Sequence, residues 1–243
     1  MRWLGLAIVV LALASTSRLY AADDADDRED VVELIKKLGG QSESDIVQID
    51  LSESQVSDDD LAELKDLDNL LELNLHGTQI GDDGAASLSG LLNLQSLYLD
   101  DTKLSDSGVA SLEPLVRLEA LYLDSTKVTD AGVKHFSGMQ QLRDLSLGFT
   151  PVGNPGLETI GKLTELRRLT LANTKVSDAG LASLAKLSNL EELTLDGNKI
   201  GDAGLQHLAG LKNLRELSLL ETSVTPAGIA KLKQELPKLH VTR

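Results

Sequence analysis

Aliphatic residues recur along this chain at a fixed step. Leu70, Leu94, Leu118, Leu142, Leu166, Leu190 and Leu214 stand 24 residues apart, and Ile46 opens the series. One copy reads LRRLTLANTKVSDAGLASLAKLSN (166–189), and the next reads LEELTLDGNKIGDAGLQHLAGLKN (190–213). Two shorter periods lie inside each unit. Leu193 and Leu195 are separated by one polar residue, the period of two that marks a strand. Leu205, Leu208 and Leu211 are spaced by three, the stripe of a helix, and Ile200 turns inward between the two segments. Eight such units cover 46–238. One unit cannot bury its apolar face alone, so the units must stack, strands into a parallel sheet and helices into an outer layer. Strands about 4.8 Å apart beside bulkier helices force the stack into an arc with the strands inside. The expected class is therefore α/β, a curved solenoid with parallel strands on the concave face and short helices on the convex face. Seven inward positions per unit give an aliphatic core of roughly 55 residues, each contributing about 1.5–3 kcal/mol before chain entropy is subtracted.

The polar positions repeat as strictly as the apolar ones. Ser105, Thr129, Ser177 and Thr225 stand where a helix cap belongs, and Asp58, Asp82, Asp106, Asp130, Asp178 and Asp202 follow in the first turn. A hydroxyl there accepts an orphan N–H, and a carboxylate is favoured by the field of the helix N-terminus. Three residues after the cap comes Gly84, Gly108, Gly132, Gly156, Gly180, Gly204 or Gly228. Glycine is a weak helix former, so a fixed glycine indicates close approach between neighbouring coils. No G-x-G-x-x-G or Walker pattern surrounds these glycines to make them a phosphate cradle.

The unit L-x-x-L-x-L-x-x-T-x-V-S-D-x-G-L resembles the leucine-rich repeat family, whose strand motif is L-x-x-L-x-L-x-x-N/C-x-L. More closely it is similar to the bacterial variant with T-D-x-G-L in the helical half, akin to the cysteine-containing repeats of ribonuclease-inhibitor-like and F-box proteins. The resemblance implies a right-handed horseshoe solenoid and protein–protein interaction. One position departs from the family. Thr78, Thr102, Thr126, Thr150, Thr174 and Thr222 fill its Asn or Cys site, with Asn198 retained and Ser54 in the first unit. These side chains are expected to turn inward and bond the backbone of the next coil.

The ends read differently. Met1-Arg2 precedes an apolar run from Trp3 to Ala14, the length of a secretory h-region and too short to span a membrane. Residues 1–21 read as a signal peptide with cleavage after Ala21 or Ala22. That places the protein outside the cytoplasm, secreted or periplasmic, and makes an F-box-type adapter role untenable. Residues 22–45 read as an acidic linker and a capping helix, with Val31, Leu34, Ile35 and Leu38 on one face before Gly39-Gly40. Residues 239–243 read as a C-terminal capping strand.

Composition narrows the chemistry. The 243 residues hold 23 basic and 38 acidic side chains, a net charge of −15, which argues against a general nucleic-acid binder. There is no cysteine, so disulfides, thiolate nucleophiles and Cys-ligated metals are excluded. No H-E-x-x-H or G-x-S-x-G motif appears. His135 and His207 share a repeat position three units apart, too far to share a metal. A cofactor, a metal and an enzymatic activity are not expected. The one acid–base group worth weighing is Asp100 and Asp124 with His76.

Function then rests on the strand positions the repeat leaves free. Down the stack, the outward row reads Asp50, Asn74, Tyr98, Tyr122, Ser146, Thr170, Thr194, Ser218. Tyr98 and Tyr122 fall side by side. Asp100, Asp101, Asp124 and His76 flank them, and Phe149 lies on the next row. Rigid aromatics ringed by polar groups are the material of binding hot spots. Arg143, Arg167 and Arg168 form a small basic spot at the border. The row Lys103, Lys127, Lys175, Lys199 reads as solvated rim. The expected function is a non-catalytic module, itself a monomer, that binds a protein partner on the concave sheet. The alternative is an envelope solenoid without a defined ligand.

Overall fold

The computed structural model describes residues 48–65 and 67–243. The expected signal segment, the 22–45 cap and Ile46 lie outside them. Among the described residues, strands β1 (Gln48–Asp50), β2 (Glu72–Asn74), β3 (Ser96–Tyr98), β4 (Ala120–Tyr122), β5 (Asp144–Ser146), β6 (Arg168–Thr170), β7 (Glu192–Thr194), β8 (Glu216–Ser218) and β9 (His240–Thr242) form one open parallel sheet in chain order. Each strand pairs with the next at an offset of 24, so Leu73, Leu97, Leu121, Leu145, Leu169 and Leu193 stack in file. Because side chains alternate across a strand, the middle residue is buried from β1 to β8, whereas Val241 in β9 is half-buried.

Between strands the chain crosses to the other face as α1 (Asp58–Leu61), α2 (Asp82–Ser87), α3 (Asp106–Ser111), α4 (Asp130–Val133), α5 (Asn154–Ile160), α6 (Asp178–Leu181), α7 (Asp202–Leu205) and α8 (Pro226–Glu235). Several run on into a 3-10 turn, such as Lys134–Gly138 and Ala182–Lys186. Strand and helix stripes enclose one continuous aliphatic core from Ile49 to Leu239. Its largest departure from leucine is Phe136, with Met139 beside it in the same coil. α8, the longest helix, precedes β9, which adds a last strand against β8.

The repeat glycines sit where coils touch. A Cβ on Gly132 would lie 2.5 Å from Asp106 Oδ1, and one on Gly204 would lie 2.4 Å from Asp178 Oδ1. The expected close approach is real, and its cause is the aspartate of the preceding coil. Asp106 Oδ1 accepts the Thr129 N–H at 2.7 Å and the Gly132 N–H at 3.0 Å, and Oδ2 accepts the Thr129 hydroxyl. Asp58, Asp82, Asp130, Asp178 and Asp202 repeat the forward bond to the cap N–H of the next coil. The carboxylates thus cap the following helix as well as standing in the first turn of their own. Ser105, Thr129 and Thr225 do cap their own helices. Ser177 does not; Asn154 replaces the aspartate before it, and the Asn154 amide donates to the Ser177 hydroxyl.

The threonine row corrects an expectation. None of these hydroxyls bonds the backbone of the next coil, although Thr174 also donates to the Asn198 side chain there at 2.9 Å. Thr78, Thr102 and Thr126 donate to the carbonyls of Leu75, Leu99 and Leu123 at 2.7 Å, three residues back in their own coil. Asn198 has the longer amide and donates both to Leu171 O in the neighbouring coil and to Leu195 O in its own.

Candidate functional site

The 24-residue register places Tyr98 directly opposite Tyr122 on the outward face of β3 and β4. Their rings stack with centroids 4.7 Å apart and an interplanar angle of 6°, matching the strand spacing. Stacking uses one face of each ring. The other face of Tyr122 looks along the sheet toward Ser146, the small buried residue next in the row. A shallow concavity of about 110 Å³ opens there, floored by Leu145 and Leu169 and walled by Tyr122, Arg168 and Glu192.

Carboxylates crowd the tyrosines. Burial chiefly pushes the Tyr98 hydroxyl above its ordinary pKa, and Glu72, Tyr122, Asp144 and Asp100 add to the rise. Burial also raises Tyr122, followed by Asp144, while Arg168 works against the rise. Asp100 is raised by burial first, against the lowering pull of the Asp124 N–H.

The aspartates at the strand ends have structural partners. Asp100 accepts the Asp124 N–H at 2.9 Å. Asp124 accepts the Ser146 hydroxyl and the Gly148 N–H, both at 2.5 Å. These carboxylates tie one coil to the next and hold Ser146 low beside Tyr122. His76 Nε2 lies 3.2 Å from Glu53. Asp101 is exposed, at the C-terminal margin of the sheet.

The basic spot does not stand as one. Arg143 pairs with Glu119 at 2.5 Å, Arg167 with Glu191 at 3.0 Å, and Arg168 binds Asp144 through both Nε and Nη2 at 2.7 Å. Each pair spans one coil, so the repeat that aligns the arginines also supplies their acids. Arg143 lies with Arg167 and Arg168 around a wider polar concavity of about 580 Å³ at the N-terminal ends of the strands. Phe149 stands at the opposite margin, 62% exposed. The structure therefore gathers Tyr98, Tyr122 and Arg168 in the middle and sets Arg143 and Phe149 on either side. Ser146, Asp144 and Glu192 belong to the centre as well. Glu192 and Asp144 share one repeat position with Arg168, and the sequence alone did not single them out. The signal for Ser146 was its small size after two tyrosines.

Phe149 has a further peculiarity. Its φ is +56°, and so are, within a few degrees, those of Glu53, Asp101, Ser125, Asn173 and Glu221 at the same repeat position. The left-handed region costs a bulky residue about 1–2 kcal/mol. Asparagine tolerates it and occupies it at Asn173. Phe149→Asn is expected to raise the thermal midpoint by about 2–4 °C. A midpoint that stays or falls in a melting experiment would mean that ring contacts outweigh the backbone strain.

Among the described residues, no helix is long and apolar enough to cross a membrane, and no three His, Asp or Glu gather as a metal site. The leucine-rich repeat family pattern matches residues 68–89 and 186–209. No curated protein matches the sequence. Among solved structures, internalin C2 of Listeria monocytogenes is similar at 26% identity and a TM-score of 0.68, over 87% of this chain and 92% of that one. An internalin, InlF, of the same organism aligns at 23% identity and a TM-score of 0.63, over 82% of this chain and 61% of that one. A plant peptide hormone receptor, RGFR1, in complex with RGF2 aligns at 20% identity and a TM-score of 0.58, over 85% of this chain and 33% of that one. The chain thus spans less than two thirds of the InlF and receptor chains. By repeat sequence and by fold, this chain is a leucine-rich repeat solenoid.

Proposed function

We propose that this chain is a non-catalytic recognition module that holds a protein partner on its concave sheet, centred on Tyr98 and Tyr122. The observation that carries the reading is the ring stack on an outward sheet face, beside an open concavity. Two stiff aromatic groups already held in register lose little entropy when a partner covers them. His76, Asp100, Asp101, Asp124, Arg143, Phe149 and Arg168 make the surrounding rim, and partly exposed ion pairs there set register more than affinity. Residues 1–21 would deliver the module outside the cytoplasm, and a monomer suffices for the task.

The test is capture from an envelope and secreted-fraction extract of the source organism. The bait is the protein beside its Tyr98→Ala/Tyr122→Ala variant, both verified as folded by circular dichroism. A partner held by the first and reduced at least about tenfold with the second is the expected result. Equal capture by both would return the tyrosines to a role in the sheet alone.

A further inference from the structure

The concavity beside Tyr122 has a shape that selects its occupant. Tyr98 and Tyr122 stand upright on consecutive strands, 4.7 Å apart and parallel within 6°. The next place in this file lies over Ser146, where the side chain is short and pinned to Asp124. A flat group inserted there would sit one strand spacing from Tyr122 and continue the stack. Beyond it, Thr170 ends the slot. The floor is strand backbone at Leu145 and Leu169, whose side chains face the core, so the stem of a long side chain lies along the sheet surface beside the Tyr122 ring.

The walls fix the charge. Glu192 lines the slot and, among the described residues, makes no ion pair within 4.0 Å. Thr170 and Thr194 present hydroxyl oxygens beside it. Arg168 also lines the slot, but Asp144 engages its guanidinium with two bonds. Asp124 is joined to Ser146 by the hydroxyl bond at the strand end. Acceptors and negative charge therefore exceed donors, on a chain of net charge −15. The faces of tyrosine rings are themselves electron-rich and attract cations.

We infer that the slot over Ser146 receives an arginine side chain of the protein partner, its guanidinium stacked on Tyr122 and hydrogen-bonded to Glu192. This rests on the recognition reading above and adds the chemistry of the partner's anchor. A guanidinium is the cationic side chain that is also planar, and its fork of N–H donors suits a carboxylate with hydroxyls beside it. Lysine matches the charge and not the plane. A neutral aromatic ring matches the plane and offers Glu192, already facing Arg168, no charge-assisted bond of its own.

The experiment titrates the protein with the tripeptide amides Gly-Arg-Gly, Gly-citrulline-Gly, Gly-Lys-Gly and Gly-Leu-Gly, following Tyr122 ring and Ser146 amide resonances by NMR. The expected result is saturable millimolar binding of the arginine peptide, about tenfold tighter than that of each other peptide. Glu192→Gln should remove most of that preference. Ser146→Tyr should abolish binding by placing a third ring in the slot, while keeping the strand, since tyrosine already stands at this repeat position twice. Equal binding of citrulline or lysine overturns the arginine assignment, as does an arginine peptide that leaves both resonances unmoved or binds Ser146→Tyr unchanged. Those outcomes leave the recognition reading intact where Tyr98→Ala/Tyr122→Ala still loses its captured partner. Loss of that capture difference overturns the recognition reading itself.

Discussion

Gly161→Ala is expected to destabilise the solenoid by about 2–4 kcal/mol and lower its thermal midpoint by about 5–15 °C. Gly161 follows α5 in helical conformation and is buried. A methyl group there would lie 2.1 Å from the carbonyl oxygen of Ser183 and 2.9 Å from its carbon. Both atoms belong to the backbone of the next coil, so no rotamer change relieves the clash. The coils must separate, and separation breaks the stacking that stabilises each of them. The better helix propensity of alanine offsets only about 1 kcal/mol. Gly90→Ala is the control. Nothing lies within 4 Å of a Cβ there, and its effect should stay within about 0.5 kcal/mol. Chemical denaturation of both variants checks the pair. Equal stabilities would mean that the fifth and sixth coils slide apart freely. Hydrogen exchange adds a spatial reading, with protection falling first in α5 and in the 3-10 turn Ala182–Lys186.

Gly161 also marks where the sequence stops being legible. The repeat made the sheet, its 24-residue register and its leucine files readable, because one residue type recurs at each inward position. Gly161 is alone at its repeat position, where the other units carry Lys65, Ser89, Glu113, Ser137, Ala185, Ala209 and Lys233. Periodicity says nothing about an exception; a close approach of two particular coils does. The Tyr98–Tyr122 pair was legible for the opposite reason, since its two members are one period apart. The same arithmetic reaches the acids that neutralise Arg143 and Arg168, at Glu119 and Asp144. They pass unnoticed when the arginines are read as one cluster rather than each against its neighbour one period away. The left-handed position of Phe149 carried a trace as well, in Gly77, Asn173 and Gly197 at the same place. The direction of a threonine hydroxyl carried none.

The repeat's Asp–Gly pairing should show as strong coupling between Asp106 and Gly132. Singly, Asp106→Ala removes an acceptor of three bonds, from the Thr129 N–H, the Thr129 hydroxyl and the Gly132 N–H. Charge-assisted bonds to partly buried donors make this a loss of about 2–3 kcal/mol. Singly, Gly132→Ala places a methyl 2.5 Å from Asp106 Oδ1 and 3.1 Å from a Val128 methyl. The carboxylate must leave its donors, and the cost is about 1–3 kcal/mol. In the Asp106→Ala background the nearest obstacle is gone. What remains at Gly132 is a tight approach to a Val128 methyl at 3.1 Å and to the residue-106 Cα at 3.2 Å, which a few tenths of an ångström relieve, set against a helix-propensity gain of about 1 kcal/mol. The second substitution should then be nearly neutral or stabilising. The cycle should close with a coupling energy of about 1–3 kcal/mol, read from four denaturation curves with matching m-values. Additivity within about 0.5 kcal/mol would detach the glycine from the aspartate and leave its recurrence to the helix itself. Coupling of the expected size would explain why both residues recur together. The carboxylate stitches each coil to the next, and the glycine is the space it needs to do so.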